Sequence, residues 1–133
     1  MSTVAKPELV NPYRLLTLVT AALVLLQAVF AGQWIFKGSS DLLRAHEIMA
    51  NVLFLALVVQ LFLAILIRFP GQTGRLLVGA NAAMVVLTTV QIGLGYSGED
   101  SADATAWHVP LGVLLFGLAV AIATFSATQS RSD

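Results

Sequence analysis

Two histidines, His46 and His108, are the only ones in the 133-residue chain, and each is followed four places later by a small residue, Ala50 or Gly112. A neutral imidazole is the commonest protein ligand for a transition metal. Two of them on opposite sides of one iron atom leave its remaining positions to a porphyrin. Residues four apart share one face of a helix, so a methyl or a hydrogen at that place leaves room for a flat ring. Close packing of helices would use the same small residues equally well. Upstream, Gln27-x3-Ala31 and Gln91-x3-Gly95 repeat the spacing with glutamine in place of histidine, 19 and 17 residues before the two histidines. Val52-Leu53-Phe54-Leu55 likewise echoes Val113-Leu114-Leu115-Phe116. The second half of the chain therefore reads as a loose copy of the first, a repeated pair of helices.

The elements that carry these residues are dictated by composition. Hydrophobic residues make up 58% of the chain and charged ones only 11%, where a soluble domain carries about 25% charged residues. Too few polar groups exist to clothe a surface in water. Four apolar stretches, at about 13–36, 42–67, 76–96 and 107–125, each approach the roughly 20 residues that a helix needs to cross a bilayer. Backbone polar groups cannot be left open to lipid, so these stretches are helices. Short connections make neighbours antiparallel. The expected fold is all-α, a single up-down-up-down four-helix transmembrane bundle over residues 1–133. Asn11-Pro12, Ser39 to Asp41, and Asp103 or Thr105 offer helix starts, and Pro70-Gly71 a stop.

Basic residues set an expected orientation. Lys6, Arg14, Arg68, Arg75 and Arg131 fall on one side, against Lys37 and Arg44 on the other. That places both termini and the second loop in the cytoplasm, in a multi-pass protein of a bacterial inner membrane. Tyr13, Trp34, Tyr96 and Trp107 lie near the span ends, as interfacial aromatics do. Arg14 followed by the apolar run to Val29-Phe30-Ala31 imitates a signal peptide, but that run continues past the cleavage-like site and reads as a span. In this frame His46 and His108 occupy the first turns of the second and fourth helices, near the outer face. Those helices are diagonal, roughly 11–14 Å apart if neighbours pack at about 8–10 Å. Ala31, Gly32, Gly93 and Gly95 lie at comparable depth, and Arg44 and Lys37 sit at the rim, where they can meet haem propionates or snorkel to water.

Other chemistry is scarce. There is no cysteine, which removes disulfides, thiolate metal sites and thiol catalysis. Zero formal charge argues against nucleic acid as a partner. Zinc wants three or four ligands, for which Glu47, Glu99, Asp100 and Asp103 are the available oxygens. Gln27, Asn51, Gln60, Asn81 and Gln91 read as hydrogen bonds between helices, with Gln60 also placed to line a cavity below His46. No acidic residue lies mid-span, which argues against a proton-coupled transporter, and no nucleophile–base pair is visible.

His46-Glu-Ile-Met-Ala50, Gln91-Ile-Gly-Leu-Gly95 and Trp107-His108-Val-Pro-Leu-Gly112 together resemble one four-helix half of the haem A synthase family. Small bacterial four-helix membrane proteins of similar layout share the pattern. The resemblance covers all four spans and implies a haem held between the two histidines. It departs from the family in three ways: one half instead of two, no outer-loop cysteine pair, and Glu47 after the ligand where the family places an acid just before it. Haem binding carries over; oxidation of a haem methyl does not. The expected cofactor is one b-type haem with His46 and His108 on its iron, and Ala50, Gly95, Gly112 and Arg44 around it. Its role would be electron transfer or haem handling. The alternative is a cofactor-free accessory subunit of a larger membrane complex. Expected partners are membrane lipid and a second copy of the chain or a membrane redox complex, with Gly79, Ala80, Ala82 and Ala83 on the third helix allowing close approach.

Overall fold

The computed structural model describes residues 6–98 and 100–129; Glu99 and Arg131 lie outside them. A 3-10 turn, Pro7–Leu9, leads into α1 (Val10–Lys37), followed by α2 (Ser40–Ile67), α3 (Gly71–Ser97) and α4 (Ala102–Thr128). At 27 or 28 residues each helix is about 40 Å long, enough to cross a hydrocarbon layer of about 30 Å with a turn to spare at either end. All four are apolar enough to do so. The expected spans therefore lie inside longer helices.

Local chemistry accounts for most boundaries, and some differ from expectation. The first helix begins before Asn11-Pro12, which instead fall inside its first turn; a proline costs nothing there, because those N–H groups have no partner in the helix. It ends at Gly38, whose left-handed φ of 64° lets its N–H reach the Trp34 carbonyl at 2.8 Å. Ser39 then turns extended and opens α2 through its carbonyl, which accepts from Leu42 and Leu43. The second helix stops at Arg68, a non-glycine residue at φ 52°, ahead of Pro70. Ser101, not Asp103 or Thr105, opens α4: its hydroxyl accepts from Ala104 N–H. Pro110 consequently lies inside the helix and leaves the Ala106 carbonyl without its usual donor.

Each helix packs against its two neighbours around a square, α1 on α2 and α4, and α3 on α2 and α4. Interior positions follow a 3-4 alternation: Tyr13, Thr17, Thr20 and Val24 on α1; Leu53, Leu57, Gln60, Ala64 and Ile67 on α2; Leu77, Asn81, Met84 and Thr88 on α3. On α4 the buried set is Leu115, Ala119, Ile122, Ala123 and Ser126. This is the spacing of helices inclined by about 20°. Outward positions are apolar as well, among them Leu15, Leu18, Phe62 and Val113, a surface that lipid, not water, would cover.

The two ends of the bundle differ. At the end holding Val10, Ile67, Gly71 and Thr128, a chain of buried polar groups ties all four helices together. Thr20 Oγ1 lies 2.7 Å from Gln60 Oε1, Gln60 Nε2 donates to Asn81 Oδ1 at 2.6 Å, and Asn81 Nδ2 donates to the Tyr13 hydroxyl at 2.8 Å. Thr17 and Ser126 hydroxyls meet at 3.3 Å, and Arg14 Nε donates to the Ser126 carbonyl. Gln60 is therefore part of this lock and does not line a cavity. Tyr13, expected at an interface, is fully buried. At the histidine end, by contrast, the hydrogen bonds between helices among the described residues join only α1 to α2 and α3 to α4. The bundle is two hairpins, stitched at one end and meeting through two imidazoles at the other.

Candidate functional site

His46 lies six residues beyond the start of α2 and His108 six beyond the start of α4. The two half-buried rings meet across the diagonal, with centroids 6.2 Å apart and planes at 66°. Each is held by its own hairpin. His46 Nδ1 is 3.1 Å from the Gln27 carbonyl oxygen, and His108 Nδ1 is 3.0 Å from that of Gln91. A carbonyl oxygen can only accept, so Nδ1 carries a proton in both rings, and in the neutral form of each ring Nε2 keeps its lone pair. Metal-ligating histidines commonly have this arrangement: one ring nitrogen oriented by a hydrogen-bond acceptor such as a backbone carbonyl, the other free to bind.

The spacing tests what could lie between the rings. An imidazole nitrogen sits about 2.0–2.1 Å from a bound first-row metal, with the ring centroid roughly 1.1 Å behind it, so two opposed ligands put centroids about 6.3 Å apart. The observed 6.2 Å matches that separation, and it is also the distance of two rings in direct edge contact. Among the described residues no cluster of three or more His, Cys, Asp or Glu side chains stands together. A zinc site would need one. Two imidazoles alone suit an iron whose other four positions are filled by a macrocycle.

A scan against protein-family models finds no match, and none comes from the curated proteins or the solved structures. The site is therefore read from its own residues.

The small residues fall into two groups. A methyl added at Gly32 or Gly93 would meet nothing within 4 Å. At Gly95 it would come 3.1 Å from His108 Cε1, and at Gly112 3.1 Å from Gln91 Nε2. Gly95 thus seats the His108 ring against α3, and Gly112 makes room for the Gln91 amide, which donates to the His108 carbonyl at 2.9 Å. Ala31 and Ala50 stand at the equivalent places on the first hairpin, both half-buried. Arg44 and Lys37 are exposed at this end, outside the ring of interior residues. Of the oxygens weighed for a metal, Asp100 and Asp103 are exposed, and Glu47 is half-buried with its backbone carbonyl taken by Asn51.

The polar side chains divide unexpectedly. Gln60, Asn81 and Gln91 bond between helices, whereas Asn51 bonds back within α2 and faces outward. Gln27 bonds to nothing through its side chain: both amide atoms are buried without partners, as are Gln91 Oε1 and Thr88 Oγ1. Thr17, Thr20, Thr88 and Ser126 were not legible as functional positions. The available signal was their place in the 3-4 alternation, since polar residues repeating at that spacing in an apolar helix turn inward.

Proposed function

We propose that this chain is a haem-binding membrane protein in which His46 and His108 are the two axial ligands of one b-type haem, serving electron transfer or haem handling. The observation that carries the reading is the pair of imidazoles 6.2 Å apart, each anchored at Nδ1 by a glutamine carbonyl of its own hairpin. Its resemblance to a four-helix half of the haem A synthase family points the same way. Bound haem would supply one-electron chemistry at iron. The protein's part is to fix both ring orientations before the ligand arrives and to enclose it in an apolar bundle. Donation from Nδ1–H to a carbonyl raises the basicity of Nε2. With both axial positions taken by imidazole, no place is left for oxygen, which favours electron transfer over oxygenation.

Orientation belongs to the same reading. Lys6, Arg14, Arg68 and Arg75 gather at the end opposite the histidines, against Lys37 and Arg44 beside them. This asymmetry supports cytoplasmic termini and a haem near the outer face of a cell membrane. Arg44 and Lys37 would then reach toward propionates at the rim.

Absorption spectroscopy of protein purified after expression with added haem tests the proposal. A reducible Soret and α band at about one haem per chain is expected. In electron paramagnetic resonance, His46→Ala and His108→Ala should each abolish the low-spin bis-histidine signal while leaving membrane insertion intact. A colourless wild-type preparation would sink the proposal and leave a cofactor-free subunit of a larger complex as the better reading.

A further inference from the structure

The two hairpins are nearly equivalent at the site, and the place where they differ is informative. His46 and His108 hold the same helix position and the same carbonyl contact, at 3.1 and 3.0 Å. On the second hairpin the Gln91 amide also donates to the His108 carbonyl, across Gly112. The matching bond on the first hairpin, Gln27 to the His46 carbonyl, is absent, and both polar atoms of the Gln27 side chain are buried and unpartnered. The hairpins differ at this place by one methyl group. A Cβ at position 112 would press on the Gln91 amide at 3.1 Å, and Ala50 carries that Cβ at the corresponding place. The amide of Gln27 is left with two donors and an acceptor unused. In a lipid-embedded interior such a group is costly unless something pairs with it.

We propose that Gln27 is a ligand-binding residue: its free amide hydrogen-bonds an oxygen at the edge of the ring held between His46 and His108, and Ala50 keeps it available. The inference rests on the haem reading above. An oxygen at that edge has two sources, a carboxylate of the macrocycle or a water captured beneath it. Thr88 Oγ1 and Gln91 Oε1, also buried and unpaired, add a hydroxyl and an acceptor on α3. The glutamine on the first hairpin would serve the ligand while that on the second serves the protein.

Titration of the full-length apoprotein in detergent with protohaem, in wild type and three variants, tests this. Gln27→Leu should weaken binding roughly tenfold, the size of one lost hydrogen bond. Ala50→Gly should weaken it similarly, by letting Gln27 turn to the His46 carbonyl as Gln91 does to His108. In the Gln27→Leu background, Ala50→Gly should then cost nothing more, which separates capture of the amide from mere loosening of the helix. Repeating the titration with an iron porphyrin bearing only alkyl groups assigns the oxygen. A Gln27→Leu loss confined to protohaem names the carboxylate, and an equal loss with both names the water. Wild-type affinity in both single variants, or an Ala50→Gly loss of equal size in both backgrounds, overturns the inference while leaving the haem reading intact. Absence of haem binding by the wild type removes both.

Discussion

Replacing Asn81 by leucine should loosen the bundle more than any other single change of similar volume. Asn81 stands at the centre of the polar lock: it accepts from Gln60 Nε2 at 2.6 Å and donates to the Tyr13 hydroxyl at 2.8 Å, with a further bond to the Leu77 carbonyl of its own helix. Leucine keeps the branching at Cγ in a larger side chain but removes both interhelical bonds. In membrane interiors such bonds contribute about 0.6 kcal/mol each on average and up to roughly 1.7. Their loss accounts for about 1–3 kcal/mol. The abandoned Gln60 N–H, buried in the interior, adds about 1 kcal/mol or more. The expected destabilisation is therefore about 2–4 kcal/mol. Gln60→Leu combined with Asn81→Leu leaves no stranded amide between α2 and α3, so the double variant should fall short of the sum of the singles by roughly 1–2 kcal/mol. Asn51→Leu is the control, because Asn51 bonds only the Glu47 carbonyl of its own helix and faces outward; its stability should equal or exceed that of wild type. Unfolding in mixed micelles with a rising fraction of anionic detergent, followed by circular dichroism, gives the four differences from wild type: the two singles, the double and the control. An Asn81→Leu variant as stable as wild type, or strict additivity with Gln60→Leu, would refute the lock.

Three further outcomes are expected. Gly95→Ala places a methyl 3.1 Å from His108 Cε1, so it should shift that ring by a few tenths of an ångström and change the low-spin g-values, while Ala31→Gly on the other hairpin should move them less; unchanged spectra in Gly95→Ala would contradict the seating of the ring. Reporter fusions at residue 133 and in the loop near Asp100 should report opposite compartments, the former cytoplasmic, and the reverse result would remove the proposed orientation. Gly79 and Ala83 are exposed on α3, with open space beside Gly79, and a homodimer through this face should appear as twice the 14.1 kDa chain in native mass spectrometry from mild detergent and from nanodiscs; a strictly monomeric mass in both would favour a different partner.

The four helices were legible because length and apolarity suffice to specify them once lipid is the solvent. The histidine pair was legible for a different reason: two imidazoles at matched places in two similar hairpins are conspicuous when no others exist. Diagonal placement followed from short loops alone. Helix ends were read less well. Asn11-Pro12 looks like a start, yet the chain is already helical at Val10 because a proline is tolerated anywhere in the first turn. Tyr13 illustrates a deeper limit. An aromatic near a span end is as compatible with the headgroup layer as with the interior, and only the partner, Asn81, distant in sequence, decides. Gln27 was misread as an interhelical bond for a similar reason. Its identity matches Gln91, yet its amide stays unpartnered, and the hairpins differ beside it by one carbon on the following helix, Ala50 against Gly112.

The uneven distribution of polar pairing along the bundle has a physical logic. Every helix contributes to the lock through a residue that is nearly inaccessible, Thr20, Gln60, Asn81 and Ser126. The interhelical pairings that specify how the two hairpins meet are thus concentrated at one end. The histidine end is spared that duty. It can keep rings half-buried, small residues with open space beside them, and amides without partners, each a local cost that a bundle relying on that end could not bear. Each imidazole is also oriented within a hairpin and not across the interface, so small changes in the separation of the hairpins leave Nδ1 bound to its carbonyl and Nε2 available. A site of this kind can admit a flat ligand between its halves without first breaking the contacts that aim its donors. The polar lock and the histidine pair in this way occupy separate levels of the same four helices, about two turns apart along α1, from Thr20 to Gln27.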